Sequence, residues 1–398
     1  MGRNGDGRTG HGAVPATVWV LGLVSMLMDI SSEIVHSLLP VFLVATMRVS
    51  ALTVGIIEGL AEATASITRL FSGSLSDWVG RRKPLVLVGY SLSALTKPVF
   101  ALAPSVAWVV GARVTDRVGK GIRGAPRDAL VADVTPQPLL GAAYGLRQSL
   151  DTVGAFAGPL LAMPVMALTH DAFRLAFWLA AVPAGLAVAL IVLGVTEPAD
   201  RPSGEKRRPA LAVVEMRQLD ATYWAAMAVA VLMTLARFSE AFLILRAQTV
   251  GLAVALVPAV LVVMNVVYAG SAYPAGRLSD RLGRRGLLGI GVAVLVLADL
   301  VLAAAGDVRA VFLGTGLWGL HMGMTQGLLA ALVAEAAPPA VRATAFGLFH
   351  LVTGVALLAA SALAGWLWSA LGPAATFGAG AVFSAVALLA LPLVSRPR

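Results

Sequence analysis

GSLSDWVGRR (residues 73–82) and GRLSDRLGRR (residues 276–285) are two copies of one pattern, Gly-x-Leu-x-Asp-x-x-Gly-Arg-Arg. Their aspartates, Asp77 and Asp280, stand 203 residues apart in a chain of 398, so the repeat covers about half the molecule and marks an internal duplication. A weaker match lies upstream of each copy: DISSE ends at Glu33 and ARFSE ends at Glu240. Two related halves follow.

Apolar runs fill each half. With 58% hydrophobic and 13% charged residues, and a mean hydropathy of +0.85, a soluble domain of this size would lack the polar surface to stay dissolved. The runs are long, unbroken and rich in Ala and Leu, which suits helices of about 20 residues and not the alternating strands of a barrel. Breaks at Gly, Pro and charge predict spans near 16–46, 51–75, 84–103, 107–131, 141–165 and 173–195, then near 221–246, 253–275, 286–305, 309–334, 343–370 and 373–394. The one long polar stretch between spans, TEPADRPSGEKRRPALAVVEMRQ, reads as a linker over 196–220. The expected organisation is a disordered cytoplasmic tail at 1–15, a six-helix bundle at 16–195, the linker, and a second six-helix bundle at 221–398. The fold class is an all-α membrane protein of twelve transmembrane helices in two pseudo-symmetric bundles.

The formal net charge of +9 raises nucleic acid as a partner, but the basic residues sit in short loops beside spans and no nucleic-acid partner is expected. Arg81, Arg82 and Lys83, then Arg201, Lys206, Arg207 and Arg208, then Arg281, Arg284 and Arg285 occupy even-numbered connections. The odd-numbered ones hold the scattered Arg48, Arg174 and Arg309. By the positive-inside rule both termini face the cytoplasm, in a multi-pass protein of the cytoplasmic membrane. The absence of cysteine excludes disulfides and thiolate metal sites. The first apolar run is too long, and lacks a convincing small-residue cleavage site, for a signal peptide.

On the repeated loop between spans two and three, and again between spans eight and nine, the chain resembles the major facilitator superfamily over essentially its whole length. The resemblance implies a transporter with a site between the halves, and a latch that holds the cytoplasmic side closed. Its residues would be Gly73, Asp77, Gly80, Arg81 and Arg82 in one copy, and Gly276, Asp280, Gly283, Arg284 and Arg285 in the other. Glycines at 73 and 80 permit a tight turn and close helix approach, while Asp77 can face a helix N-terminus or an arginine. The family's third basic position is Trp78 in the first copy and Arg281 in the second. The family's fourth-span Arg-x-x-Gln-Gly reads here Arg113-Val-Thr-Asp116-Arg117, and an Arg–Asp pair there would tune a proton site or hold an ionic substrate. Gly154-Ala-Phe-Ala-Gly158-Pro159 matches the start of the antiporter motif of the fifth span, but Ala162-Met163 replaces its closing Gly-Gly. The match implies export, as in bacterial efflux-type members; a kinked, closely packed helix is the other reading of this element.

The spans also carry charge, and each ion at mid-membrane costs about 2.5–3.5 kcal/mol on insertion scales. Such groups must pair or meet water. Asp29, Glu33 and His36 share one face of the first span at i, i+4 and i+7. Arg113, Asp116, Arg117, Lys120, Arg123, Arg127 and Asp128 form a stripe on the fourth. Its lower part, GKGIRGAPRD, is interrupted by Gly and Pro, and is expected to line a cavity or end the span. The fifth span adds Arg147 with Asp151 at i+4, the seventh Arg237 and Glu240, and the tenth and eleventh His321, Gln326 and His350. A static network that fixes helix register is one reading of this set. The other is a coupling site, with Asp29 or Glu33 as the acid and His36 as a relay, because an acid beside a movable cation binds and releases protons as the cavity opens to each side.

No P-loop, Gly-x-Ser-x-Gly elbow or His-Glu-x-x-His helix is present. No catalytic residue, cofactor or resident metal is expected, and the chain does not read as an enzyme. The reading is a monomeric proton-coupled secondary transporter whose partners are the lipid bilayer, protons and a small-molecule or ionic substrate, with export as the direction. Movement of a metal ion, metal chelate or organic anion in either direction is the alternative. A non-transporting sensor is the rival from another class.

Overall fold

The computed structural model describes residues 14–79, 81–197, 219–337 and 342–393, and gives the backbone alone for 73–79, 280–282, 284, 327, 329–336, 342–344 and 393. Most of the expected tail and most of the expected linker lie outside the described residues. What remains is helical, with no strand among the described residues. The first half holds α1 (Ala16–Val41), prolonged by a π-helical turn at Phe42–Thr46, then α2 (Ala51–Val79), α3 (Lys83–Leu102), α4 (Val106–Val134), α5 (Leu140–Leu168) and α6 (Phe173–Gly194). The second holds α7 (Ala221–Ala236), α8 (Ala241–Thr249), α9 (Ala259–Leu282), α10 (Arg284–Ala304), α11 (Val308–Ala336), α12 (Arg342–Leu371) and α13 (Pro373–Ala390). Each sequence-predicted span has its helix, with one change: the seventh is two helices, α7 and α8, separated at residues 237–240.

Hydropathy, length and a limit on charge would select ten helical segments among the described residues as membrane-crossing. α4 is not one of them, because of its charges. It is nevertheless one continuous helix through Gly119, Gly121, Gly124 and Pro126. The interrupted stretch therefore lines a cavity and does not end the span. Two of its glycines are contact points: a Cβ at Gly119 would lie 2.6 Å from the Gly89 carbonyl oxygen of α3, and one at Gly121 2.5 Å from the Thr68 Cβ of α2.

Helix ends inside an apolar slab need local partners for their free N–H and C=O groups. Asp220 caps α7 by accepting the Tyr223 N–H at 3.0 Å, and Asp307 accepts from Ala310 at 2.8 Å at the start of α11. At the carboxyl end of α3, Arg174 donates to the Ala103 carbonyl at 3.0 Å. At the equivalent end of α10, Arg246 donates to Leu302 at 2.9 Å and Ala305 at 2.6 Å. The same need is met in both halves, by arginines from different spans.

The duplication is visible in the packing. α1 lies on α5 and α6, and α4 on α2 and α3, with α3 on α6; correspondingly α7 lies on α12 and α13, and α11 on α9 and α10, with α10 on α13. The halves meet where α2 packs on α12, and where α5 packs on α9. The α2–α12 seam is tight at the end that carries the odd-numbered connections. A Cβ at Gly365 would lie 2.6 Å from the Ala51 carbonyl oxygen, and one at Gly59 2.8 Å from the Leu358 Cα. The Leu52 N–H donates to Ser369 Oγ at 3.3 Å. Beneath it, one buried cluster takes aromatic side chains from both halves, among them Phe42, Phe100, Phe177, Phe238, Phe242, Trp318 and Phe377. Phe42 meets Phe177 edge-on at 5.3 Å, and Phe238 meets Phe242 at 5.4 Å. The molecule is sealed on this side.

The seam generates a test. The chain has no native cysteine, so Leu357→Cys, on the wall of the cavity below the seal, reports access. In the otherwise native chain it is expected to react with an impermeant maleimide from the even-connection side only. Adding Gly365→Val is expected to wedge the seam and to admit the reagent from the odd side; unchanged protection would show that the barrier lies elsewhere.

Candidate functional site

The ionic stripe of α4 is answered by helices other than those the sequence suggested. Glu58 and Glu62, one turn apart on α2, face Arg113 and Arg117, one turn apart on α4. Arg113 Nη2 donates to Glu58 Oε2 at 2.6 Å, and Arg117 Nη1 lies 3.1 Å from Glu62 Oε1. Arg113 and Glu58 are almost wholly buried, at 1% exposure each. Asp116, on another face of the same helix, turns to Lys97 of α3 at 2.9 Å; the Lys97 ammonium also reaches Ser32 of α1 at 3.3 Å. The Arg113–Asp116 pair suggested by spacing does not form. Each partner has found an opposite charge on a neighbouring helix, which a buried ion needs more than a longitudinal neighbour three residues away. Glu58, Glu62 and Lys97 are the functional candidates that sequence reasoning missed.

Toward the even-connection side the pattern continues with mixed partners. Arg123 donates to Ser93 Oγ at 2.5 Å and lies over the Tyr90 ring at 4.6 Å. Arg127 donates to Ser25 Oγ at 2.7 Å and pairs with Asp128 at 3.1 Å. Arg147 and Asp151 form the i, i+4 pair expected on α5, at 2.6 Å, and Arg147 also lies 3.7 Å from Asp128.

The first-span groups lie on the cavity side of α1. His36 stands between two carboxylates, with Nδ1 3.5 Å from Glu33 Oε2 and Nε2 3.9 Å from Glu58 Oε2. Glu33, His36, Glu58 and Arg113 thus form one chain of contacts. Asp29 makes no ion pair and no side-chain hydrogen bond among the described residues. Among the described residues neither Asp29 nor Glu33 pairs with Arg113, Arg117 or Arg147; α2 supplies the acids for Arg113 and Arg117, and Asp151 and Asp128 those for Arg147. The glycines of the antiporter-like stretch back these two acids. A Cβ at Gly154 would lie 2.9 Å from Asp29 Cβ, and one at Gly158 2.7 Å from Glu33 Cβ. With Pro159 they let α5 press against α1 at the level of both carboxylates.

In the second half, Arg237 and Glu240 flank the interruption between α7 and α8. No Pro or Gly lies there. The Ser239 N–H donates to Ser361 Oγ of α12 at 3.2 Å, and Phe238 turns into the aromatic seal against Trp318 and Phe377, at 5.6 and 5.5 Å. The chain leaves helical geometry at Arg237, with φ −101° and ψ 70°.

These elements enclose two chambers of about 460 and 390 Å³ that share Glu33, Glu62, Ser66, Lys120, Ala155 and Asn265 in their walls. The upper one lies under the seal and receives Glu33, His36, Glu58, Arg117, Arg237 and Glu240. The lower extends to Arg69, Arg127, Gln148 and His350, toward the even connections. Glu33 and Glu240, matched in the repeat, therefore line one chamber from opposite halves. His321 does not; it is buried between α10 and α11, with Nδ1 2.7 Å from the Gly291 carbonyl oxygen. A further buried acid, Asp299 of α10, stands away from both chambers, 3.5 Å from Ser384 Oγ of α13. Among the described residues no group of three or more His, Asp or Glu is arranged to hold a metal ion.

The expected latch is only partly described. The side chains of Asp77, Asp280 and Arg284, and Gly80, lie outside the described residues, and Gly73 is described as helical backbone only. In the first copy Arg82 pairs with Asp133 at the end of α4, at 2.7 Å, its N–H donates to Glu197 at 2.6 Å, and Arg81 is exposed. In the second copy Gly283 takes φ +74° between α9 and α10, a conformation that favours glycine, while Gly276 has open space around it and Arg285 is partly buried.

Comparison with known proteins agrees with this architecture. The Major Facilitator Superfamily profile matches residues 21–266 and 226–398. An uncharacterized MFS-type transporter of Methanocaldococcus jannaschii is 32% identical over 380 residues, 94% of each chain. The gentisate transporter of Corynebacterium glutamicum is 28% identical over 393 residues, covering 94% of this chain and 86% of that protein. Among solved structures, the nucleoside transporter NupG superposes with a TM-score of 0.82 at 12% identity, over 96% of this chain and 100% of that one; at that identity the likeness is one of fold.

The ladder between α2 and α4 carries a stability prediction. Glu58→Gln leaves the Arg113 guanidinium buried without its carboxylate and is expected to cost about 3–5 kcal/mol. The double variant Glu58→Gln/Arg113→Gln is expected to lose less than the sum of the two single variants, because no uncompensated charge remains. Thermal unfolding of the detergent-purified variants measures both; single variants within about 0.5 kcal/mol of the native chain would remove the ladder from the account.

Proposed function

Because the chain belongs to the Major Facilitator Superfamily, a family of membrane transporters, we propose that it is a proton-coupled secondary transporter that moves a small organic ion across the cytoplasmic membrane by alternating access, with export as its direction. The observation that carries this reading is the pair of chambers between the halves, sealed at the odd-connection end and lined by titratable groups from both. On this reading both termini are cytoplasmic, the state described is inward-open, and the monomer is the working unit. Cargo enters from the even-connection side. Closure then brings the repeated loops together as a latch through Asp77 and Asp280, while the α2–α12 seam separates.

The coupling acids are Asp29 and Glu33. Both line the lower chamber and rest on the glycine surface of α5, so a shift of α5 against α1 changes their surroundings together. His36 connects Glu33 to Glu58 and passes the proton toward the upper chamber. Arg113 and Arg117 hold Glu58 and Glu62 in place, which leaves the mobile charge to the first span. The Arg–carboxylate ladder is the fixed part of the device and Asp29 and Glu33 the titrating part.

Among the alternative cargoes, one that carries an organic anionic group is favoured by one feature: Lys120 and Arg237 reach the chambers from opposite halves, and neither makes an ion pair or a side-chain hydrogen bond among the described residues. The gentisate transporter among the relatives is named for an organic anion. A cavity that holds both signs of charge does not suit a greasy cation.

Reconstituted vesicles with an imposed pH gradient test the coupling. Glu33→Gln keeps the shape of a protonated glutamate while removing the titration. It is expected to abolish gradient-driven accumulation and to spare downhill exchange. Accumulation that survives in Glu33→Gln and is lost in Asp29→Asn would move the role one turn along α1; accumulation that survives in both would refute the coupling assignment.

A further inference from the structure

The second half contributes two ionic side chains to the upper chamber, Arg237 and Glu240, and both are left without a partner. Neither makes an ion pair within 4 Å or a side-chain hydrogen bond among the described residues. Across the chamber, most ionic groups of the first half already have a partner: Glu58 has Arg113, Glu62 has Arg117, and Glu33 lies 3.5 Å from His36. Lys120 is the exception on that wall. It lines both chambers and makes no ion pair with a carboxylate within 4 Å among the described residues.

We infer that the cargo is a small zwitterion, its anionic group held between Arg237 and Lys120 and its cationic group held by Glu240; the inference rests on the transport reading above. The interruption between α7 and α8 makes the arrangement. In a continuous helix Arg237 and Glu240, three residues apart, would lie on one face within pairing reach. With the non-helical link at 237–240 the two side chains form no ion pair within 4 Å, and a cation and an anion line the same chamber.

A singly charged cargo would satisfy one of them and leave the other beside it, desolvated and unmatched, at a cost that grows as water is excluded. A cargo with both charges satisfies both. About 390 Å³ in the upper chamber suits a molecule of drug-like size or smaller. Phe238, Leu357 and Ala155 give it an apolar wall between the charged ends.

Two matched sets of probes separate the charge classes: 4-(aminomethyl)benzoate, 4-methylbenzoate and 4-methylbenzylamine on an aromatic frame, and 4-aminobutanoate, butanoate and butylamine on an aliphatic one. Binding is read as thermal stabilisation of the purified full-length chain. At least one zwitterion is expected to bind more tightly than its two singly charged partners. Its affinity should fall roughly tenfold or more in Glu240→Gln and in Arg237→Gln, as expected for the loss of a charged hydrogen bond. Arg237→Lys should recover part of the loss, which a variant that merely fails to fold would not. In Glu240→Gln the carboxylate probe is expected to gain on the zwitterion. A carboxylate or amine that binds as well as its zwitterion, or the failure of both zwitterions to bind, overturns the inference. Uptake of 4-methylbenzoate or butanoate under a pH gradient, with no zwitterion binding, would defeat this inference and leave the transporter standing. Zwitterion binding with no gradient-driven uptake of any probe would do the reverse.

Discussion

A guanidinium in hydrocarbon is so costly that it dictates its own surroundings, and α4 carries Arg113, Arg117, Arg123 and Arg127 at helical spacing. Every helix that touches α4 bears the mark of that stripe. α2 presents two carboxylates at the matching one-turn interval. α3 provides Tyr90 and Ser93 for Arg123, and inserts Lys97 to hold Asp116. α1 offers Ser25 to Arg127 and Ser32 to Lys97. Such pairs contribute little net stability over an apolar core, since desolvation offsets most of the attraction, but breaking one is expensive. What they fix is register: α1, α2 and α3 cannot slide along α4 without separating charges in a low dielectric.

The seal at the odd-connection end is held by a different kind of force. There the contacts are close backbone approaches at Gly59 and Gly365 and a buried cluster to which each half contributes its own aromatic pairs, with few directional bonds across the seam among the described residues. Dispersion and small-residue packing are what helices use to associate where lipid supplies no hydrophobic drive. Contacts of that kind separate without leaving charged or polar groups unsatisfied. The ionic ladder within the first half does not have that freedom. The molecule therefore combines bundles that resist internal rearrangement with a seam able to part, the mechanical condition for two halves to rock about a site between them.

Much of this was readable beforehand. Twelve apolar runs and the repeated loop specify the helices and the duplication, and Glu33 and Glu240, paired by the repeat alone, line the same chamber. The partners of Arg113 and Arg117 were readable in principle: Glu58 and Glu62 stand four apart in an apolar run, as the two arginines do, and only the matching of one spacing to the other was lacking. The interruption at 237–240 was not readable by local rules. LARFSEAF contains no helix breaker, and the break arises from tertiary contacts, with Phe238 drawn into the aromatic seal and Ser239 bonded to Ser361. Likewise the glycines at 154 and 158 signal close packing, but only the assembled bundle reveals that Asp29 and Glu33 are what they pack against.

The two halves share a topology and differ in how they treat charge. The first has a dense, largely neutralised network whose members lie on five of its helices. Among the described residues the second brings Arg237, Glu240, Tyr268 and His350 to the chambers as titratable or charged groups, and its own buried acid, Asp299, lies outside them. On the proposed reading of a proton-coupled transporter, duplication followed by such divergence separates two demands that conflict in one place. Proton binding needs an acid whose environment is held constant except for the one change that releases the proton, and rigid ion pairs supply that constancy. Cargo binding needs charges that are unpaired until the cargo arrives, because a preformed internal pair would have to be broken for each molecule bound. A broken helix in the half with little else to neutralise it meets the second demand, and an unbroken α1 braced by α2, α4 and α5 meets the first.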